Sequence, residues 1–382
     1  MILFFLTFTV VYSTINYYIF RRGAQALSLK TKKSKRRFFL LLLVPVLSYV
    51  AAKGLLVKSD SIFYDIFLWV GSFWFAYLVY FLVSLLIIDL TRVILNFSGL
   101  LRSFSQKGYE KLKSGLFYAV LLITTVLVFL GHSNANNIVV KKYNIDIPKK
   151  NGEIDTLNVL FFSDSHFTPI NNGRIMHKII EIADSIKPDL ILMSGDIVDD
   201  KSNNLKRYNI DKELRNLNAK FGVFTCNGNH EHIVDAEDAV NFLQSNGVSV
   251  IIDTFITINN SIQIIGREDR SVTRFRDTPR KSLTDIMNGI DRNLPIILLD
   301  HQPFELEEAA NHGIDLQLSG HTHHGQMFPG NLITSIVYEL SYGFLKKGKT
   351  QFYVTSGVGT WGPPVRIGSE SEVVHFVITF TE

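Results

Sequence analysis

A cluster of three histidines is the densest group of potential metal ligands in this sequence. His321, His323 and His324 occupy four positions directly after the apolar run 314–318. Neutral imidazole is a common ligand for transition metals. Residues two apart in an extended or sharply turning segment point the same way, so His321 and His323 can face one site. A solvated loop is the alternative, and ligands elsewhere in the chain decide between the two.

Further potential ligands lie just past the ends of apolar runs that we predict to be β-strands. In α/β sheets, the carboxyl ends of the strands are where sites are built. The predicted ligands are Asp164, His166, Asp196, Asn229, His301, His321 and His323. This mixture of nitrogen and oxygen donors suits Mn, Fe or Zn, and it lacks the thiolates of a structural zinc site. Asp196 has two carboxylate oxygens and is the natural bridge between two ions.

Short apolar runs alternate with helical stretches after residue 157. The predicted strands are 157–162, 190–193, 221–225, 248–252, 262–265, 295–299, 316–318, 351–355 and 373–380, and the predicted helices include 172–186 and 235–244. Such alternation predicts an α/β domain whose sheet is buried on both faces. The single cysteine, Cys226, excludes an internal disulfide framework.

Five motifs in order between residues 157 and 326 resemble the calcineurin-like metallophosphoesterase superfamily. They read Asp-Ser-His from Asp164, Gly-Asp-Ile-Val-Asp from Gly195, Gly-Asn-His-Glu from Gly228, a single His301, and Gly-His-Thr-His from Gly320. Thr322 and the following Gly-Gln pair are similar to a bacterial branch of membrane-associated phosphoesterases that cleave lipid-linked or simple phosphodiesters. The resemblance implies an α/β fold, a metallophosphoesterase sandwich of two mixed β-sheets flanked by helices.

The resemblance also implies a role for each matching residue. One divalent metal ion would be held by Asp164, His166, Asp196 and His323, and a second by Asp196, Asn229, His301 and His321. Such a pair of ions activates a bridging hydroxide that attacks phosphorus. His230 would act on the leaving-group side as a general acid or as a donor to the phosphoryl group, and Asp199 would orient it.

Three side chains are candidates for contact with substrate. His324 departs from the branch, which usually has glycine there, and we predict a polar pocket residue. Arg267 lies in the charged loop 266–281, where guanidinium groups suit a phosphate, although a solvated loop is the alternative. Arg366 follows a glycine-rich turn that is more simply structural. The apolar segment 331–344 predicts a core helix, with insertion into a membrane interface as the alternative hypothesis.

The N-terminal third predicts an all-α transmembrane domain of four helices. The apolar stretches are 2–20, 38–57, 66–88 and 116–131, of which the last is marginal in length. Residues 1–131 carry 15 Lys/Arg against 4 Asp/Glu, whereas residues 132–382 carry 24 against 31. The basic loops 21–37 and 89–114 are expected in the cytoplasm, which places both termini outside it.

The sequence therefore predicts three segments and one activity. Residues 1–131 form the membrane anchor, 132–150 the linker and domain entry, and 151–382 the phosphoesterase domain. We expect a multi-pass cell-membrane protein with two divalent ions (Mn, Fe or Zn) and an extracytoplasmic site. Its expected partners are membrane lipids and a phosphodiester, phosphomonoester or pyrophosphate substrate, preferably lipid-linked, and no nucleic acid is expected. The alternatives are a protein or nucleotide phosphatase, and a non-catalytic membrane sensor or scaffold.

Overall fold

The computed structural model describes residues 2–56, 61–100, 105–149, 151–170 and 173–381, and for residues 2–5 it describes the backbone only. The chain divides into two compact units. The first comprises Met1–Ser133 with Gly362–Val365, and the second comprises Asn134–Trp361 with Arg366–Glu382.

The first unit is helical. Its helices are α1 (Ile2–Ala26), α2 (Lys32–Ala51), α3 (Ile62–Phe97) and α4 (Gln106–Ala135), and a π-helical turn, Ala52–Leu56, continues α2. The Thr31 hydroxyl accepts a hydrogen bond from the Ser34 backbone N–H and so caps the start of α2. Three helical segments among the described residues are long and apolar enough to cross a membrane: Lys32–Leu56, Ile62–Phe97 and Gln106–Ala135.

The predicted count of four transmembrane helices is therefore too high by one among the described residues. Helix α1 is not among these three segments. The stretch 116–131, marginal by its own length, qualifies because α4 extends beyond it at both ends.

The second unit contains two six-stranded mixed sheets, as the sequence predicted. The first has the order β1-β12-β2-β3-β4-β5. Its strands are β1 (Ile138–Pro148), β2 (Thr156–Phe162), β3 (Leu190–Ser194), β4 (Val223–Cys226), β5 (Ser249–Val250) and β12 (Ser371–Thr381). Neighbouring strands are parallel except for the antiparallel pair β12 and β2. Strand β1 lies within the segment predicted as linker and domain entry, 132–150.

The second sheet has the order β10-β11-β9-β8-β7-β6. Its strands are β6 (Thr254–Ile258), β7 (Ile262–Gly266), β8 (Ile296–Leu299), β9 (Leu316–Ser319), β10 (Gly343–Lys347) and β11 (Thr350–Val354). The two outer pairs, β6 with β7 and β10 with β11, are antiparallel, and the pairs between them are parallel.

Apolar side chains from both sheets form the central core. Phe161 and Phe376 of the first sheet and Tyr353 of the second are fully buried in one cluster. Burying each such aromatic ring contributes about 1.5–3 kcal/mol. The sheets pack face to face as a sandwich, and helices cover their outer faces.

The flanking helices are short. They are α5 (Arg174–Ile186), α6 (Ser202–Arg207), α7 (Ile210–Asn216), α8 (Asn229–Val234), α9 (Ala236–Ser245), α10 (Leu283–Ile286), α11 (Leu306–His312) and α12 (Gly330–Val337). Helix α5 buries Ile175, Met176 and Ile179 against the first sheet, which matches their spacing along one helical face.

Helix α12 differs from the predicted core helix over 331–344. Its residues are all exposed or half-buried, and Ile336 is 85% exposed. The helix ends at Val337, and the rest of the predicted segment enters strand β10. The apolar pattern was correct for a helix, but the apolar face is directed to the surface.

A hydroxyl joins the carboxyl ends of the two sheets. The Ser194 Oγ atom donates a hydrogen bond to the Leu318 carbonyl oxygen at 2.7 Å, connecting the end of β3 to the end of β9. Ser163, just after β2, donates in turn to the Ser194 carbonyl oxygen at 2.8 Å. The predicted ligands that follow these strands therefore meet at one edge of the sandwich.

Candidate metal centre

Five predicted ligands have left-handed backbone conformations. The φ angle is +55° at Asp164, +43° at His166, +52° at Asp196, +70° at His321 and +49° at His323. Non-glycine residues rarely adopt such angles, and strained backbone of this kind occurs mostly at functional sites. The sharp turns direct successive side chains back over the ends of the strands.

One cluster joins the loop after β2 to the loop after β9. The Nε2 atoms of His166 and His323 lie 3.0 Å apart, and the Oδ1 atom of Asp164 lies 3.4 Å from the His323 Nε2 atom. Burial, with the His166 ring and the Arg366 guanidinium, lowers the pKa of His323 well below its ordinary value. His323 is therefore neutral at physiological pH, which is the form that binds a metal ion.

A second cluster joins the loops after β3, β8 and β9. Ligand atoms of Asp196, His301 and His321 all lie within 4.8 Å of one another. The His301 Nδ1 atom lies 2.6 Å from the Ser194 carbonyl oxygen, which fixes the proton on Nδ1 and leaves Nε2 for a ligand. Burial and the neighbouring His301 lower the pKa of His321 to about 4.

Asp196 lies between the two clusters. Its Oδ2 atom is 3.1 Å from the His301 Nε2 atom and 3.8 Å from the His166 Nε2 atom. Its Oδ1 atom accepts a hydrogen bond from the His230 backbone N–H at 2.8 Å. Burial opposes ionisation, but His301 and His230 outweigh it and hold the pKa of Asp196 well below its ordinary value.

The donor chemistry of the two clusters fits divalent metal ions. Imidazole nitrogens and carboxylate oxygens converge in both clusters, and these are the donors that such ions bind. Asn229 supplies a further sign, because its buried Oδ1 atom has no hydrogen-bond partner among the described residues. A buried carbonyl-type oxygen without a partner is costly unless it binds water or an ion.

Two glycines permit the close approach of these loops. A Cβ atom at Gly228 would lie 2.2 Å from the Asp196 Oδ1 atom, and one at Gly320 would lie 2.2 Å from the Asp164 Oδ2 atom. Any larger residue at either position would displace a predicted ligand.

His230 and Asp199 form a pair beside the clusters. The His230 Nδ1 atom lies 2.8 Å from the Asp199 Oδ1 atom. Burial alone would lower the pKa of His230, but the Asp199 and Asp196 carboxylates outweigh it and raise that pKa to about 9. The imidazole is therefore held in its proton-donating form, with its orientation set by the carboxylate.

Comparison with known proteins identifies the architecture. Residues 157–325 match the family described as calcineurin-like phosphoesterase. An uncharacterized metallophosphoesterase of Aquifex aeolicus is 31% identical over 262 residues, which cover 68% of this chain and 98% of that protein. The chain belongs to the calcineurin-like phosphoesterase family. The predicted superfamily and enzyme class, a metal-dependent phosphoester hydrolase, are confirmed.

Two other relatives are metallophosphoesterases, and one of them is described as a transmembrane protein. A transmembrane protein with metallophosphoesterase domain from Danio rerio is 29% identical, with 74% of this chain and 68% of that protein covered. The uncharacterized metallophosphoesterase YkuE of Bacillus subtilis is 29% identical, with 59% of this chain and 80% of that protein covered. Together with the three apolar helices, the Danio rerio relative supports a membrane-associated protein.

Glu231 supports the metallophosphoesterase site without facing it. Its carboxylate accepts hydrogen bonds from the backbone N–H groups of Asp196, Ile197, Val198 and Gly228 at 2.7 to 3.1 Å. It thereby joins the loop after β3 to the loop after β4. In the sequence, the only signal for Glu231 was its place in the Gly-Asn-His-Glu motif.

Arg366 is buried, as expected if its glycine-rich turn is structural. Its side chain is fully buried, and it donates to the carbonyl oxygens of Ser356, Gly357 and Gly359 at 2.7, 2.9 and 2.6 Å. It also lies 3.4 Å from the His323 Nδ1 atom. Burial lowers the pKa of Arg366 to about 10. The guanidinium positions the His323 loop.

Arg267, the second arginine predicted as a substrate contact, is paired with buried and half-buried carboxylates. It is 5% exposed, and its Nη1 atom lies 3.2 Å from the Asp300 Oδ2 atom and 2.7 Å from the Glu308 Oε2 atom. Arg280 also pairs with Asp300, at 3.0 Å, so two cations of the loop 266–281 neutralise the buried carboxylate next to His301.

His324 turns away from both clusters. Its ring packs against the Tyr342 ring with the centroids 4.6 Å apart, and the Tyr342 hydroxyl donates to the Glu372 Oε2 atom at 2.9 Å. The buried His324 Nδ1 atom has no hydrogen-bond partner among the described residues. His324 therefore lies in a half-buried polar pocket and is not a member of either ligand cluster.

Proposed function

We propose that this chain is a membrane-anchored dimetal phosphoesterase that hydrolyses a phosphodiester, phosphomonoester or pyrophosphate bond of a lipid-linked substrate. The observation that carries the proposal is the position of Asp196 between two histidine-containing clusters, beside the His230–Asp199 pair. One carboxylate within reach of both clusters is what a two-ion site requires.

The proposed ligands divide between two ions. Asp164, His166, Asp196 and His323 would hold one, and Asp196, Asn229, His301 and His321 the other. Mn, Fe and Zn all accept this mixture of donors. When bound, two such ions activate water for attack on phosphorus and neutralise charge on the phosphoryl oxygens.

His230 and Asp199 supply proton transfer in this proposal. A protonated imidazole beside the ligand clusters can donate its Nε2 proton to the departing oxygen, while Asp199 accepts the hydrogen bond from Nδ1. Trp361 lies on the same side, with its ring centroid 6.2 Å from that of His230, and is 57% exposed. Its indole offers an apolar surface to the leaving group.

A lipid-linked substrate is favoured by helix α12. Its exposed apolar residues include Leu332, Ile333 and Ile336. The helix packs on the turn that carries the ligand loop, because a Cβ atom at Gly325 would lie 2.0 Å from the Asn331 backbone N atom. A surface of this kind, so close to the centre, suits the hydrocarbon part of a substrate or the membrane interface that holds it.

The charge of the helical segment supports an extracytoplasmic site. The basic stretches 21–37 and 89–114 flank the segments that can cross a membrane, and basic loops stay in the cytoplasm. With three crossings, α2 leaves the cytoplasm, α3 returns and α4 leaves again. The orientation of the phosphoesterase unit is then independent of whether α1 crosses.

The activity is tested with the full chain in detergent. Hydrolysis of bis-p-nitrophenyl phosphate is measured with added Mn²⁺ for the wild type, for Asp196→Asn and for Asp184→Asn, an exposed carboxylate on α5. We expect metal-dependent turnover that is lost in Asp196→Asn and kept in Asp184→Asn. Absence of metal-dependent turnover in the wild type would favour the non-catalytic alternative.

The substrate class needs a second measurement. We expect Ile336→Ser with Val337→Ser to reduce phosphate release from vesicle-borne phospholipid substrates but not from the soluble ester. The matched control is Val140→Ser, another exposed apolar side chain, on edge strand β1. Equal loss with both substrates, or no loss with either, would contradict a lipid-linked substrate while leaving the esterase activity intact.

A further inference from the structure

A large cavity lies within the helical unit, apart from the catalytic chemistry. Its volume is about 1100 Å³, and side chains from α1, α2, α3 and α4 line it. Ligand pockets in proteins usually measure about 300–1,000 Å³, so this space is large enough for a substantial molecule. The phosphoesterase site makes no use of it, because every lining residue lies between Ile19 and Leu121.

One wall of the cavity is an aromatic and apolar stripe on α3. Trp69, Phe73, Tyr77, Phe81 and Leu85 line it at intervals of four residues. Residues four apart lie on one face of a helix, so this stripe runs along the helix axis for about 24 Å. The hydrocarbon core of a bilayer is about 30 Å thick. The cavity therefore extends along the part of α3 that is suited to the membrane interior.

The opposite wall is one face of α4. Leu116, Phe117, Val120 and Leu121 line the cavity, again at helical spacing. The two walls approach each other at one point, where the Tyr77 hydroxyl lies 3.2 Å from the Thr125 Oγ1 atom. Between helices that cross a membrane, an apolar space of this size is filled by hydrocarbon, because water gains no hydrogen bonds there.

Charge is concentrated at one end of the cavity. The charged residues among its described lining are Arg22, Asp89, Arg92 and Lys113. Asp89 already accepts a hydrogen bond from the Tyr18 hydroxyl at 2.6 Å and is paired with Arg22. Cations therefore outnumber the single carboxylate, and that end of the lining is positive.

We infer that this cavity binds an anionic phospholipid, with the headgroup at Arg92 and Lys113 and the acyl chains along the α3 stripe. Arg92 is 4.0 Å from the Asp89 Oδ1 atom and remains 45% exposed, so its guanidinium can turn to a phosphate. The Lys113 Nζ atom lies 5.2 Å from the Tyr109 ring centroid, at the same end. Guanidinium and ammonium groups at the cytoplasmic end of membrane helices are suited to acidic headgroups.

Charge complementarity favours an acidic lipid over a zwitterionic one. Each Lys or Arg near an anionic headgroup contributes on the order of fivefold in affinity. A lipid held only by its chains would show no such preference, because acyl chains of the same length fill the cavity equally well.

Native mass spectrometry of the full chain in mild detergent tests the inference. Equimolar phosphatidylglycerol and phosphatidylethanolamine with identical chains are added, and the intact lipid retained per chain is counted. We expect one retained lipid, with phosphatidylglycerol favoured by about fivefold or more. Equal retention of the two lipids by the wild type would overturn the proposal, and this arm requires no variant to fold.

Two matched pairs of variants locate the site. Val120→Trp fills the cavity and should abolish retention, whereas Leu122→Trp, a neighbouring exposed position outside the lining, should not. Arg92→Gln with Lys113→Gln should remove the headgroup preference.

The matched charge control is Lys107→Gln with Lys111→Gln, two exposed lysines on α4 outside the lining, which should retain the preference. Equal lipid retention by the two Trp variants, or an equal headgroup preference in the two Gln double variants, would overturn the assignment. Lipid retention is measured without any hydrolysis, so the test is valid even if the protein has no phosphoesterase activity.

Discussion

The His230 Nδ1 atom and the Asp199 Oδ1 atom lie 2.8 Å apart, and this hydrogen bond turns the other ring nitrogen of His230 away from Asp199. The same carboxylate reaches toward the ligand clusters, since its Oδ2 atom lies 3.7 Å from the His166 Nδ1 atom. Asp199 is thus in position to orient both the proposed acid, His230, and a proposed ligand, His166.

Asp199→Asn should lower kcat because His230 loses the partner that fixes its orientation and its proton. We expect a loss of about 10²- to 10⁴-fold, the usual contribution of general acid–base catalysis. His230→Ala should show a similar loss, and the double variant should be little worse than either single one. Steady-state kinetics of the single and double variants measure this; fully additive losses would contradict the pairing.

Leaving-group chemistry distinguishes a proton donor from a merely structural histidine. Esters of p-nitrophenol need little protonation as the bond to phosphorus breaks, whereas alkyl esters need it strongly. His230→Ala should therefore impair alkyl esters more than p-nitrophenyl esters. Equal impairment of both substrate types would remove His230 from the proton-transfer role.

Removal of Asp196 should reduce metal content more than removal of a ligand from one cluster. Asp196 contacts both groups of ligands, whereas His301 belongs to one and His323 to the other. We expect His301→Ala and His323→Ala each to lose about one equivalent, and Asp196→Ala to lose more, when purified protein is measured by elemental analysis. Equal content in all three variants would rule out a shared bridging ligand.

Arg366→Met should destabilise the phosphoesterase unit. The change leaves three buried carbonyl oxygens without their donor, each loss costing about 1–3 kcal/mol. The expected loss in the free energy of unfolding is about 3 kcal/mol or more, measured by denaturant titration. Arg174→Met, at an exposed position on α5, is the matched control and should change stability little. A stable Arg366→Met protein with altered KM would instead support a role in substrate binding.

Asp315 gives a pH-dependent prediction away from the metal centre. Burial raises its pKa from 3.8 to about 6, although the Ile296 backbone N–H donates to its Oδ2 atom at 2.8 Å. The folded state therefore binds a proton more tightly than the unfolded chain between about pH 4 and 6. The contribution of Asp315 to the free energy of unfolding is most favourable below pH 4 and is lost as the pH rises through 6.

Asp315→Asn should remove that loss, because an amide oxygen can accept the same hydrogen bond without a charge. We expect stability at pH 7 to rise by about 1–2 kcal/mol, with a smaller change at pH 4, from thermal unfolding at both values. Asp184→Asn, on the exposed face of α5, should show no such difference. An equal gain in stability at both pH values would show that ionisation of Asp315 is not the cause.

The sequence predicted the parts of the centre that follow from local pattern. Strand ends, glycines and the five motifs placed Asp164, Asp196 and His301 at one edge of an α/β fold, and the structure brings their side chains together. Those predictions succeed because the carboxyl ends of neighbouring parallel strands must meet.

The contacts between residues far apart in the chain could not be predicted from the sequence. A cationic residue in a charged loop looks the same whether it faces solvent or, like Arg267, a buried carboxylate. The exposure of α12 was equally hidden, because an apolar helical face is identical in sequence whether it covers a core or a surface. Strand β1 was missed because its register is set by β12, far along the chain.

That last pairing affects how the protein is made. Ile138 lies three residues after helix α4 ends at Ala135, and its partner Ser371 follows 233 positions later. The ribosome must therefore synthesise most of the phosphoesterase unit before β1 can pair with β12. The strand that directly follows the helical unit in the chain therefore pairs last, so completion of the first sheet is a late event of synthesis.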